Sequence, residues 1–171
     1  MLPEEEKRNE EFKFYQDYPV FTVLLRWLFL GIAFVLGIYI LLKFEAILAY
    51  IYVFYGAICL TLILPLSRCV YCFYHGRRCD CGFGKVAAYL FPKRDESQYA
   101  SKYVYFTLTY LFWLFPGIVG FVQVLRKRSL FALLIFLAFL LALLLERIVL
   151  KNLGCKNCHQ REICPGIPFK S

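Results

Sequence analysis

The chain has 171 residues, of which 61% are hydrophobic, 19% aromatic and 19% charged, and its net charge is +8. Soluble domains average about 45–50% apolar and about 25% charged residues, so this composition excludes an ordinary soluble domain and a disordered chain. A small disulfide-rich secreted fold is disfavoured because such folds are short and rich in loops, which leaves a polytopic membrane protein.

Four segments are long and apolar enough to cross a bilayer, which takes about 20 residues at a rise of about 1.5 Å each. They cover residues 20–42, 46–66, 103–125 and 129–150. Their side chains are apolar on all sides and do not alternate, so we predict helices. The expected fold is an all-α integral membrane protein, a four-transmembrane-helix bundle with a small Cys/His-rich cytoplasmic cap.

The same pattern predicts the organisation of the whole chain. We expect a polar cytoplasmic N-terminal segment (1–19), a first transmembrane hairpin (20–66), a basic Cys-rich cytoplasmic loop (67–102), a second transmembrane hairpin (103–150) and a Cys-rich cytoplasmic tail (151–171). The three polar segments hold fourteen Lys and Arg residues, whereas the two turns on the opposite side hold four. Because cytoplasmic loops carry the excess of basic residues, we predict that both termini are cytoplasmic.

Three ionisable residues, Arg26, Glu146 and Arg147, lie inside predicted spans, where an unpaired charge is costly. Arg26 is near the start of the first span, and Glu146 is near the end of the fourth. Arg26 either extends to the lipid headgroups or pairs with Glu146, and such a pair would clamp the first span to the fourth. The middle of each span holds few polar residues, which disfavours an ion channel or a proton-coupled carrier.

The cysteine residues are the most informative feature of the chain. Of eight cysteines, Cys59 alone lies in the middle of a span. The candidate metal ligands are Cys69, Cys72, His75, Cys79 and Cys81 in the loop, and Cys155, Cys158, His159 and Cys164 in the tail. CxxC spacing lets two thiolates approach one tetrahedral zinc ion. A site shared between the two segments would therefore tie the tail to the loop.

Zinc is the favoured metal, and an iron–sulfur cluster is the alternative. The tail pattern Cys-x2-Cys-x5-Cys-Pro is similar to a ferredoxin-type run, in which a Cys-Pro ends the motif. Disulfides are disfavoured because cytoplasmic thiols stay reduced. A quinone-reducing thiol oxidoreductase with four helices is also disfavoured, because the outer turns contain no cysteine.

We therefore expect a small membrane protein whose Cys/His cluster binds metal and serves as a structural or docking cap. Such a cap suits a subunit or adaptor of a membrane complex, with a protein partner at the cytoplasmic face. The alternatives are an iron–sulfur redox protein that passes electrons from a cytoplasmic donor to a quinone, and a metal-ion carrier or sensor. We predict no catalytic residue, since no Ser/His/Asp triad, paired-carboxylate site or HExxH helix is visible. The basic residues follow the cytoplasmic bias, so no nucleic-acid partner is expected.

Overall fold

The computed structural model describes residues 14–165 of the chain. Within this range it has no strand, and four helices are long and apolar enough to cross a membrane. They are α1 (Val20–Phe44), α2 (Ala46–Tyr71), α4 (Glu96–Lys127) and α5 (Leu130–Asn157), and the short helix α3 (Gly84–Leu90) lies between α2 and α4. The all-helical fold and the four spans predicted from the sequence are thereby confirmed. Residues 1–13 of the predicted N-terminal segment and 166–171 of the predicted tail lie outside the described residues.

Three of the four long helices extend beyond the predicted spans, and the extended ends of α2 and α5 carry cysteine. α2 contains a π-helical segment (Cys59–Ile63), continues past residue 66 and ends in a 3-10 turn (Cys69–Tyr71). α5 continues through a second π-helical segment, Leu150–Gly154, and α4 begins before the predicted span at residue 103. Hydropathy marks the part of a helix that fits the hydrocarbon, whereas its backbone hydrogen bonds continue into the polar region.

α1 is the central helix of the bundle and contacts α2, α4 and α5. The core around it is dominated by aromatic stacking between neighbouring helices. The rings of Tyr52 on α2 and Phe112 on α4 are parallel to within 8°, with their centroids 4.2 Å apart. Gly37 of α1 lets these helices approach, because a Cβ there would lie 3.1 Å from the Tyr52 hydroxyl. Close packing of this kind is what holds membrane helices together in the absence of a hydrophobic driving force between them.

Arg26 and Glu146 form an ion pair inside the bundle. The Arg26 Nε atom lies 2.9 Å from Glu146 Oε1, and the Arg26 Nη1 atom also pairs with Asp80 from the loop. Arg26 is only 9% exposed. Of the two possibilities left open by the sequence, the structure therefore shows the pair that clamps α1 to α5.

The residues before α1, the loop after α2 and the end of α5 meet at one end of the bundle. The backbone amide of Tyr15 donates to the carbonyl of Asn157 over 3.1 Å, and the Tyr18 hydroxyl donates to the carbonyl of Gly154 over 2.7 Å. The Tyr74 hydroxyl from the loop donates to the carbonyl of Tyr15 over 2.8 Å. We call this the cysteine end of the molecule, because the helix ends and loop there carry the clustered cysteines.

Candidate functional site

Seven cysteines converge on one cavity of about 70 Å³ at the cysteine end. The cavity is lined by Cys69, Cys72, Cys79, Cys81, Cys155, Cys158 and Cys164. They come from the end of α2, the following loop, the end of α5 and the tail. We call this space the cysteine cavity. Folding thus gathers thiols from segments far apart in the sequence.

The two CxxC segments adopt the same local turn. Cys69–Tyr71 and Cys155–Asn157 are both 3-10 turns, and in each the second cysteine follows in an extended conformation. The amide of the second cysteine donates to the carbonyl of the first over 3.3 Å in both segments. In the loop and in the tail alike, this turn places both thiols of the pair on the wall of the cysteine cavity.

The CxC segment brings its two sulfur atoms into direct contact. The Sγ atoms of Cys79 and Cys81 are 3.3 Å apart, and the amide of Gly84 at the start of α3 donates to Cys79 Sγ over 3.1 Å. The chain reverses after Cys81 at Gly82, whose φ of +76° favours glycine. This turn fixes both sulfurs beside those of the CxxC pairs.

The surroundings of these buried sulfurs shift their pKa values in opposite directions. Hydrogen bonds from the thiols of Cys69 and Cys79, helped by the charge of Arg26, lower the pKa of Cys81 well below its ordinary value. Hydrogen bonding to Cys81 and burial raise the pKa of Cys79. Burial also raises the pKa of Cys72 to about 12. Cys72 and Cys79 therefore ionise readily only when a cation enters the cavity and replaces the solvation that burial has removed.

Two buried oxygen atoms on the wall of the cysteine cavity have no hydrogen-bond partner among the described residues. They are Asp80 Oδ1 and Gln160 Oε1. Asp80 is packed against α5, since a Cβ at Gly154 would lie only 2.7 Å from this Oδ1 atom. Burial raises the pKa of Asp80, although the neighbouring charge of Arg26 opposes the shift. An unpartnered buried acceptor costs about 1–3 kcal/mol, so both atoms favour a cation or a donor in the cavity.

Arg68 supplies a second positive charge beside the thiols. Its Nε and Nη2 atoms donate to the Tyr99 hydroxyl over 3.2 and 2.8 Å. Its guanidinium lies 4.6 Å from the ring centre of Phe106 and 5.2 Å from that of Tyr103. No carboxylate of residues 14–165 forms an ion pair with Arg68. Like Arg26 it lines the cysteine cavity, where a positive charge favours the ionised form of a neighbouring thiol.

The structure does not bring the two predicted histidine ligands into the cavity wall. The Nε2 atom of His75 lies 3.0 Å from the carbonyl oxygen of Phe91. The His159 ring stacks on Phe73 with the centroids 3.9 Å apart. Across residues 14–165, no three or more His, Cys, Asp or Glu side chains are placed so that they could hold a metal ion. The seven thiols therefore share a cavity without forming a coordination shell, and metal binding requires some of them to rotate.

Gln160 and Arg68 also line the cysteine cavity, although no local sequence pattern marks either residue. Gln160 directly follows the predicted ligand His159, and its Nε2 atom is 3.4 Å from the carbonyl of Tyr71. Arg68 directly precedes the first CxxC pair, and the sequence identifies it only as one of the basic residues of the loop. Asp80 did carry a signal, because it stands between the two cysteines of the CxC segment.

A second, larger cavity of about 540 Å³ lies between the helices beside the first, and we call it the bundle cavity. Its lining comes from all four long helices and is largely apolar and aromatic. The two cavities share wall residues, namely Arg26, Leu64, Arg68, Cys81, Leu150, Cys155 and Cys164. An occupant of the bundle cavity would therefore be in contact with thiols of the cysteine cavity.

Comparisons of this chain with known protein families, with curated proteins and with solved structures found no match. Function is therefore inferred from the chemistry of the two cavities.

Proposed function

We propose that this membrane protein binds metal through the thiols of the cysteine cavity, with zinc as the favoured ion. The metal fastens the loop to the tail, and the resulting cytoplasmic cap is a docking face for a protein partner in a membrane complex. The observation that carries the proposal is the convergence of seven thiols from separate segments on one cavity. Zinc in structural sites takes four Cys or His ligands, so the cavity holds enough thiols to complete a shell.

The two CxxC turns are the first choice as zinc ligands. One pair, Cys69 and Cys72, lies at the end of α2, and the other, Cys155 and Cys158, lies at the end of α5. The two pairs adopt the same kind of turn and together would make a four-thiolate site. Such a site joins two helices through a shared ion, and the free energy of metal binding becomes folding energy for the polar cap. His75 and His159 remain predicted ligands, and each would first have to leave its present contact.

Metal analysis of the full-length protein tests the proposal. Anaerobic purification in mild detergent, followed by elemental analysis and a visible spectrum, is expected to give about one or two zinc ions per chain, at four ligands each. The preparation should show no visible absorbance. Absence of metal together with disulfides on a non-reducing gel would overturn the proposal and its cytoplasmic orientation.

A single substitution tests whether the metal fastens the loop to the tail. Cys155→Ser should accelerate tryptic cleavage at Arg77 and Arg78 several-fold, because a loosened loop exposes these bonds. Cys59→Ser is the matched control, since Cys59 lies in the α2 segment away from the cysteine cavity. Equal cleavage rates for both variants would refute the shared site.

An iron–sulfur cluster is the second candidate, and two observations favour it. The cysteine cavity, at about 70 Å³, is roomy for one ion, because about 10–15 Å³ of such space already accommodates a water molecule. Its wall is also shared with the apolar bundle cavity, which suits electron transfer from a cytoplasmic donor to a membrane quinone. Iron and acid-labile sulfide in equal amounts, with visible absorbance, would support this candidate and exclude structural zinc.

A further inference from the structure

The bundle cavity has the size and lining of a small-molecule site. Its volume of about 540 Å³ falls within the range of about 300–1,000 Å³ that is typical of ligand pockets. Aromatic side chains of two helices line it, with Trp27 and Phe34 on α1 and Phe106, Phe112 and Trp113 on α4. The cavity is open to its surroundings, since Val53 and Leu60 in its wall are 43% and 40% exposed. A flat apolar molecule from the bilayer fits such walls.

Polar groups in this cavity gather at the end that meets the thiols. Arg68 is the principal donor there, because it has no carboxylate partner among the described residues and is flanked by aromatic rings. Arg147 lies at the same end, with its guanidinium 4.9 Å from the ring centre of Tyr110. Guanidinium groups only donate hydrogen bonds, so an occupant that pairs with Arg68 presents an acceptor oxygen to it.

We propose that the bundle cavity binds the ring of a lipid-soluble quinone, with a ring carbonyl oxygen accepting from Arg68. The planar ring matches the aromatic walls, and its carbonyl oxygens are acceptors for Arg68, which has no carboxylate partner among the described residues. A phospholipid phosphate would also pair with arginine, but the rings of Tyr99, Tyr103 and Phe106 around Arg68 fit a flat group better than a bulky hydrated one. Binding follows from the cavity itself, whereas use of the quinone as an electron acceptor rests on the second candidate function.

Tryptophan fluorescence gives a direct test, because both tryptophans of the chain, Trp27 and Trp113, line the bundle cavity. Titration of the purified full-length protein in detergent with decylubiquinone should quench this fluorescence saturably. Gly31→Leu should raise the Kd by about tenfold or more, since a Cβ at this wall position has no atom within 4 Å and a larger side chain fills the cavity. Val35→Leu is the matched control on the same helix, at a position that is 63% exposed and outside the cavity, and it should bind as the natural chain does.

Quenching that does not saturate, or that is equal in both variants, would overturn the proposal. Organic extraction of the purified protein followed by mass spectrometry is the second measurement. A phospholipid retained at one molecule per chain and not displaced by decylubiquinone would also overturn it. The metal content of the same preparation separates the two proposals. Metal without saturable quenching removes the quinone site alone, and saturable quenching without metal removes the metal proposal alone.

Discussion

Arg26 is the residue on which the polar interior of the bundle depends. It pairs with Glu146 of α5 and with Asp80 of the loop, and it is 9% exposed. One guanidinium therefore joins α1, α5 and the CxC segment. Removing one partner from a buried group of charges is far more damaging than the net contribution of the group suggests, because the remaining charges stay buried without compensation.

Arg26→Met should lower the free energy of unfolding by about 3–5 kcal/mol, since Asp80 and Glu146 would lose their shared cation. Unfolding in detergent, followed by helical circular dichroism, measures the loss. Arg126→Met removes an equal charge from an exposed position at the other end of the bundle and should change stability little. The double variant Arg26→Met/Glu146→Gln should recover part of the loss. A loss as small as that of Arg126→Met would contradict the structural role of Arg26.

The sequence predicted the seven cysteines of the cysteine cavity but only part of the residues around them. CxxC and CxC spacing marked the cysteines, because short spacing alone brings two sulfurs within reach of one ion. The partner of Asp80 depends instead on how the loop folds back against α1, which no local pattern records. The contact of His75 also depends on how the loop folds. Its sequence position beside the cysteines predicts a ligand, and the folded loop places its ring against the carbonyl of Phe91.

At the scale of the helices, the contact between α2 and α4 depends on a glycine. Phe112 of α4 packs directly on Gly56 of α2, where a Cβ would lie 2.9 Å from the Phe112 ring. Gly31 of α1 lies across the bundle cavity, and a Cβ there would meet no atom within 4 Å. Two glycines in one cavity wall thus have opposite steric surroundings.

Gly56→Ala should lower the free energy of unfolding by about 1–3 kcal/mol, because the added methyl group forces Phe112 out of its stack with Tyr52. Gly31→Ala, by contrast, should leave stability unchanged or raise it by about 0.5–1 kcal/mol, the helical preference of alanine over glycine. Unfolding of both variants in the same detergent provides the comparison. Equal effects would show that the close contact at Gly56 is not what sets the distance between α2 and α4.

Hydropathy was sufficient to predict all four long helices but not where three of them end. The predicted spans stop where polar residues begin, as at residue 66 of α2, yet the helix continues to Tyr71. This difference affects the site, because it places Cys69 and Cys155 on helix ends. The first cysteine of each CxxC pair therefore belongs to a helix, whereas the sequence pattern predicts that both pairs lie wholly in the loop and the tail.

For the whole molecule, the bundle has two unequal ends. The loop between α2 and α4, the residues before α1 and the end of α5 meet at the cysteine end, whereas short turns near Glu45 and Arg128 form the other. Most basic residues of the described part of the chain, 14–165, belong to the segments at the cysteine end. Since basic residues are retained on the cytoplasmic side during insertion, this asymmetry predicts that the thiols face the cytoplasm.

Labelling with a membrane-impermeant maleimide tests this orientation in intact cells. The natural chain should remain unlabelled, because all clustered thiols lie at the cysteine end and Cys59 is buried in the bundle. Arg126→Cys places an exposed thiol at the opposite end and should be labelled in the same cells. Permeabilised cells, stripped of metal with a chelator, should label the natural chain as well, which shows that its thiols are reactive once reached. Labelling of the natural chain in intact cells would contradict the predicted orientation. The thiols would then lie in an oxidising compartment, where paired cysteines are expected to form disulfides and not to bind metal.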